Sequence, residues 1–191
     1  VVSTLPLQGK FRNVVFPLPK SRLFEDRPHT RHSRANMLKF LLPRLPVDRL
    51  IYLDTDTFCT GRLDALWALT ANAGIHIAPH PDASKELKER FGGTYFNAGV
   101  LALNLAHLRL IDFEKHSLEW VPPPPAELPP HLWMAEETML NTRWRGTLCP
   151  MPERFNVTRP GRREGVIHHF CNGDQKKAFL QTVAVMGGFA G

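Results

Sequence analysis

The chain of 191 residues lacks the features that define several protein classes. No apolar run reaches the roughly eighteen residues a membrane-spanning helix needs, and no basic-then-apolar leader pattern is present, so no membrane anchor is visible in it. The first residue is Val1 rather than Met, which leads us to expect sequence upstream. Cysteine is scarce: Cys59, Cys149 and Cys171 are three, without a C-x-x-C pair, which argues against a disulfide framework and a Cys-rich zinc module. There is no internal repeat and no composition bias toward disorder, and 43% hydrophobic content suits a single domain over residues 1–191.

The formal charge of +6 is regional. Residues 1–49 carry ten Lys/Arg against three Asp/Glu, and the remainder is near neutral. A basic segment of this kind can hold nucleic acid, an anionic surface or a diphosphate. Aromatic interleaving and any recognisable nucleic-acid module are missing, so no nucleic-acid partner is expected.

Elements follow from periodicity and breakers. Phe11–Leu18 reads as a short strand, and a helix from Ser33 places Met37, Leu38, Leu41 and Leu42 on one face before Pro43 and Pro46 close it. Strands are expected at Leu50–Leu53, Gly74–Pro79, Phe96–Leu105 and Val166–Phe170, with Gly99 allowing a close backbone approach. Helices are expected at Asp64–Leu69, Ala106–Trp120 and Glu136–Asn141, and the Pro-rich span 121–133 reads as a linker or surface loop. Alternating strands and helices imply an α/β fold with a largely parallel sheet.

Leu53-Asp54-Thr55-Asp56-Thr57 is the most informative string. It follows the apolar run Leu50–Leu53 and precedes a turn signal at Thr60-Gly61. Residues two apart on a strand face the same way, so Asp54 and Asp56 are expected to aim at one point at the strand end. Two hard oxygen ligands suit Mg²⁺ or Mn²⁺, cations that keep positions open for phosphate oxygens.

Four ordered strings then carry a resemblance: K-F-L-L-P at 39–43 with V-D-R-L-I-Y-L-D-T-D at 47–56, Y-F-N-A-G-V-L-A-L-N-L at 95–105, E-E-T-M-L-N at 136–141, and P-E-R-F-N-V at 152–157 followed by V-I-H-H-F-C-N-G-D-Q-K-K. The chain resembles the family 8 glycosyltransferases, the group that includes glycogenin, bacterial lipooligosaccharide galactosyltransferases and eukaryotic xylosyltransferases. That resemblance implies a GT-A nucleotide-diphospho-sugar transferase fold and a retaining, Mn²⁺-dependent (or Mg²⁺-dependent) transfer from a UDP-sugar to a glycan or glycoprotein hydroxyl. The xylosyltransferase branch resembles it most, which implies xylosyl or glucosyl transfer in the Golgi or endoplasmic reticulum lumen.

Carried over residue by residue, Asp54 and Asp56 would hold the cation with a histidine of the last strand. Two apolar residues before the histidine favour His168, whereas spacing to Asn172-Gly173 and Lys176 favours His169. Lys39, Gly173 and Lys176 would face the diphosphate, Asn97 and Glu136 the donor sugar, and Glu137 the anomeric carbon. Asn156-Val157-Thr158 is formally a glycosylation sequon, but it falls in the family's Phe-Asn element and reads as a packed Asn. Two departures stand out: the family's first strand and helix should precede Val1, making the chain an N-terminally incomplete fragment, and Glu136-Glu137 replace Asp-Gln. The competing expectation is a non-catalytic or truncated domain that binds sugar or protein.

Overall fold

In the computed structural model, residues 2–3, 14–15, 19–21, 24, 34–120, 136–158, 164–171 and 177 are described. The first elements are two short strands, β1 (Val2–Ser3) and β2 (Val14–Val15), which pair in parallel. Helix α1 (Arg34–Met37) runs into a 3₁₀ helix over Leu38–Arg44. The tightening has a cause in Pro43, which has no N–H to close an α-type bond onto Lys39 and whose ring crowds that turn.

Next come β3 (Arg49–Leu53), β4 (Thr57–Cys59), α2 (Asp64–Leu69), β5 (Ile75–Pro79), α3 (Lys85–Arg90) and β6 (Phe96–Asn104). The chain continues through α4 (Leu105–Leu110), α5 (Phe113–Leu118), α6 (Glu136–Thr142), β7 (Leu148–Pro150), a 3₁₀ turn at Glu153–Phe155, and β8 (Ile167–His169). One continuous helix over 106–120 is not what forms. Asp112 adopts a left-handed φ of 50°, a conformation Asp tolerates through local hydrogen bonding, and the chain restarts as α5.

The main sheet has the order β3-β6-β5-β7. Among the described strands the sheet is mixed where a largely parallel one was expected: β6 pairs antiparallel with both β3 and β5, while β5–β7, like the separate β1–β2 pair, is parallel. Apolar alternation is a local property, whereas strand direction depends on how the connections route the chain. The α/β class holds.

β6 is the centre of the molecule. Eight of its nine residues are buried, because β3 and β5 flank it and both faces are covered. Leu101 and Leu103 pack into a cluster with Phe40, Leu41, Ile75 and Met139, while Val100 and Ala102 turn to the other face against Leu66, Phe155 and Ile167. Each such fully buried aliphatic contributes about 1.5–3 kcal/mol relative to exposure. With both faces thus packed, the C-terminal end of β3 and the N-terminal part of β6 are held rigidly side by side, with Leu53 opposite Val100.

A second small sheet completes the site's scaffold. β4 pairs antiparallel with β8, with Thr57 opposite His169, and Phe170 N–H donates to Asp56 O at 2.9 Å. The segment after the 3₁₀ turn lies beside β8, where His169 N–H donates to Val157 O at 2.9 Å.

Candidate functional site

The two aspartates converge by a route other than strand alternation. β3 ends at Leu53, and Asp54-Thr55-Asp56 forms the turn into β4. Asp54 N–H donates to Gly99 O at 2.8 Å, and Thr57 closes the turn with N–H and Oγ1 bonds to Asp54 O at 3.2 and 2.8 Å. Both carboxylates therefore sit at the end of the sheet as expected, but a turn brings them together.

His169 joins them. Its Nε2 lies 3.3 Å from Asp56 Oδ1 and 3.8 Å from Asp54 Oδ2, and one donor atom from each of the three residues falls within 4.8 Å of the others. His168, the neighbouring residue on the strand, points to the opposite side, toward Gly165 and Val157. Gly99 makes this placement possible, since a Cβ there would overlap the His169 imidazole. Carboxylate oxygens and an imidazole suit a divalent cation, and the ring's other nitrogen lies 3.1 Å from both Asn97 Oδ1 and Asn156 Oδ1.

Two further carboxyl groups stand next to this cluster at the start of α6. Glu136 is 5% exposed and accepts from Lys39 Nζ at 3.1 Å, with Asn36 Nδ2 3.4 Å from its other oxygen. Glu137 Oε1 accepts from Asn97 Nδ2 at 2.6 Å and from Ala98 N–H at 3.2 Å. Desolvation and then the Glu136 carboxylate push the Glu137 carboxyl up to about 8.

Lys39 occupies an unexpected position. It is 3% exposed and bridges Asp54 and Glu136, at 3.2 and 3.1 Å, with its ammonium 5.0 Å from the Tyr52 ring centroid. Burial alone would lower its pKa, but Glu136 and Asp54 outweigh that and hold it above the ordinary value. As it stands, the side chain balances two carboxylates within the protein and is not held out toward a diphosphate. Asn97 is likewise internal: 3% exposed, it accepts at Oδ1 from Gly99 N–H and Asn156 Nδ2 while its own amide holds Glu137. Gly173, Lys176 and the Pro-rich span 121–133 lie outside the described residues.

Tyr52 was not singled out from the sequence. Its hydroxyl donates to Asp54 Oδ1 at 2.6 Å, and the residue-two-before position on a strand ending in Asp54 is the signal that could have identified it. Cys171 also stands near, its thiol pushed up to about 12 by burial and by Glu137 and Asp56.

A family model described as glycosyl transferase family 8 matches residues 8–184. The chain belongs to glycosyl transferase family 8. A lipopolysaccharide 1,2-glucosyltransferase of Escherichia coli is 32% identical over 95 residues, covering 46% of this chain and 26% of its own. A protein of Haemophilus influenzae is 25% identical over 134 residues, covering 66% of this chain. The chain spans only 38% and 26% of the lengths of these two curated relatives.

Solved structures supply the fold. Galactosyltransferase LgtC, crystallised with donor and acceptor sugar analogs, superposes with a TM-score of 0.62 at 20% identity, covering 88% of this chain and 72% of that one. Apo mouse xyloside xylosyltransferase 1 gives 0.51 at 20% identity, covering 73% and 65%. This family 8 chain has the GT-A fold.

Proposed function

We propose that this family 8 domain transfers a sugar, with retention, from a UDP-sugar to a hydroxyl acceptor at a site assisted by a divalent cation. The observation that carries the reading is the convergence of Asp54, Asp56 and His169 within 4.8 Å, beside the Glu136–Glu137 pair. LgtC binds donor and acceptor sugar analogs, and the Escherichia coli relative is a glucosyltransferase, which supports sugar transfer here.

Asp54, Asp56 and His169 Nε2 would hold the cation, Mn²⁺ in preference to Mg²⁺ because an imidazole belongs to the set. When bound, it supplies Lewis acidity for the diphosphate leaving group. Each remaining task falls to the chain. Asn97 Nδ2 and Ala98 N–H hold Glu137 by its Oε1, so its carboxyl group would meet the sugar's anomeric centre in one fixed orientation. Lys39 holds Glu136 and Asp54 in place through its two ion pairs, so their oxygens stay aligned as acceptors for sugar hydroxyls and cation. Positive charge developing on the sugar ring would be stabilised by Glu136 at the start of α6, while Glu137 adds the dipole of its carboxyl group.

The test is turnover of a UDP-sugar panel, including UDP-xylose, UDP-glucose and UDP-galactose, with Mn²⁺, Mg²⁺ or EDTA, read as UDP release. Release of UDP that requires the cation supports the reading. Binding without release would favour a non-catalytic domain, and neither binding nor release would overturn the proposal.

A further inference from the structure

Asn156-Val157-Thr158 has the form of a glycan acceptor, yet Asn156 is 1% exposed and its Nδ2 is committed to Asn97 Oδ1 at 2.7 Å. A buried amide already donating is unavailable to a glycosylating enzyme, so the residue's use lies elsewhere.

The hydrogen bonds around it can be assigned in order from a group whose polarity is certain. Gly99 N–H is a donor, so the Asn97 atom 3.0 Å away is the oxygen, Oδ1. That oxygen also lies 2.7 Å from an amide atom of Asn156, which must then be Nδ2. The remaining Asn156 atom is the carbonyl oxygen, and it sits 3.1 Å from His169 Nδ1. Asn97 Oδ1 is at the same distance from Nδ1. Two oxygens with lone pairs aimed at one ring nitrogen require a proton there. In the neutral ring this leaves the lone pair on Nε2, the nitrogen that faces Asp54 and Asp56.

We propose that Asn156 is a positioning residue for His169: with Asn97, its side-chain carbonyl keeps the ring proton on Nδ1 and turns the Nε2 lone pair toward the aspartate pair. This rests on the reading of Asp54, Asp56 and His169 as a cation site. The backbone supports it, because the chain after the Glu153–Phe155 turn is pinned against β8 by Val157 N–H to Ile167 O at 2.9 Å and His169 N–H to Val157 O at 2.9 Å. Asn156 is thereby delivered to the ring by main-chain bonds that do not depend on its own side chain. Outer partners that orient a metal-binding imidazole typically change metal affinity roughly 10- to 100-fold when removed.

The experiment has two arms. In the first, ¹⁵N-histidine spectra of the metal-free native chain, recorded at rising pH until the ring is neutral, with the signal identified by its loss in His169→Gln, should give the Nδ1–H tautomer. A neutral ring protonated on Nε2 would overturn the proposal, and this arm needs no folded variant of Asn156. In the second, Mn²⁺ affinity is measured by calorimetry for the native chain, Asn156→Leu, His169→Ala and the double variant. Asn156→Leu should weaken binding roughly 10- to 100-fold and should have no further effect once His169 is gone. Equal weakening in both backgrounds would mean that Asn156 acts through the fold and not through the ring, and would overturn the proposal, as would unchanged affinity in Asn156→Leu. Should the native chain fail to bind Mn²⁺ at all, the cation site itself is wrong, while the spectrum still decides the orientation of the ring.

Discussion

Glu137→Gln in the metal-free chain is the perturbation whose size follows most directly from the structure. A glutamine oxygen can accept the same two bonds that Asn97 Nδ2 and Ala98 N–H give Glu137 Oε1, at 2.6 and 3.2 Å, so the shape is kept. What the variant loses is the titration. Desolvation, reinforced by Glu136, moves the folded carboxyl from 4.5 to about 8, so between these values the folded chain retains a proton that the unfolded chain has released. The unfolded state then binds fewer protons, and stability must fall as pH rises through that window, levelling above about 8. Linkage limits the slope to about 1.4 kcal/mol per pH unit. Over the whole window that limit amounts to about 5 kcal/mol; because Glu136 shares the site and its proton, we expect about half of it, about 2–3 kcal/mol, to be lost with Glu137. Two other histidines act in the opposite sense: buried His76 and half-buried His80 have lowered pKa values through desolvation, so they add stability as pH rises from the acid side. The informative quantity is therefore native minus variant stability, from urea unfolding in EDTA at about pH 5, 6, 7 and 8. It should decline steadily over that range. A flat difference, within about 0.5 kcal/mol, would refute the argument that Glu137 is desolvated beside a second carboxylate.

Lys39→Met should cost about 3–5 kcal/mol, because it leaves Glu136 buried beside Asp54 without its cation; adding Glu136→Gln should recover part of that loss, and the coupling is read from urea midpoints of the four proteins. Gly99→Ala should destabilise by about 1–3 kcal/mol, since the new methyl meets the His169 ring, and should weaken Mn²⁺ binding at least about 10-fold; thermal melting and calorimetric titration check the two parts separately. Asp112→Gly should stabilise by up to about 1 kcal/mol and Asp112→Val should destabilise, because the position has a φ of 50°; their melting temperatures give the signs.

Much of the framework was legible where a pattern is local. Asp64–Leu69 forms the expected helix, and Phe96–Asn104 and Ile75–Pro79 form strands within a residue of the expected limits, because composition and flanking breakers determine them. α3 escaped notice since KELKER has a single apolar residue and depends on the Ser84 cap, whose Oγ accepts from Leu87 N–H at 3.1 Å. β4 was hidden by its neighbours: a D-x-D string read as the end of a strand left no room for a turn and a new strand at Thr57. The choice between His168 and His169 depends on which side of β8 meets the aspartate turn, a matter of register between elements over a hundred residues apart. Lys39 illustrates the same limit. A lysine near a D-x-D reads as a phosphate ligand, and only the arrival of α6 beside the 3₁₀ helix reveals that Glu136 engages it first.

Whether Asp54, Asp56 and His169 form a cation site that holds a nucleoside diphosphate is decided by calorimetric titration of UDP into the native chain and Asp56→Asn, each with Mn²⁺ and with EDTA. UDP should bind the native chain with Mn²⁺, EDTA should abolish this, and Asp56→Asn should weaken it roughly 10- to 100-fold with an unchanged melting temperature, since Asp56 lies in a turn outside the core. UDP binding of equal strength in all four titrations would contradict the cation site.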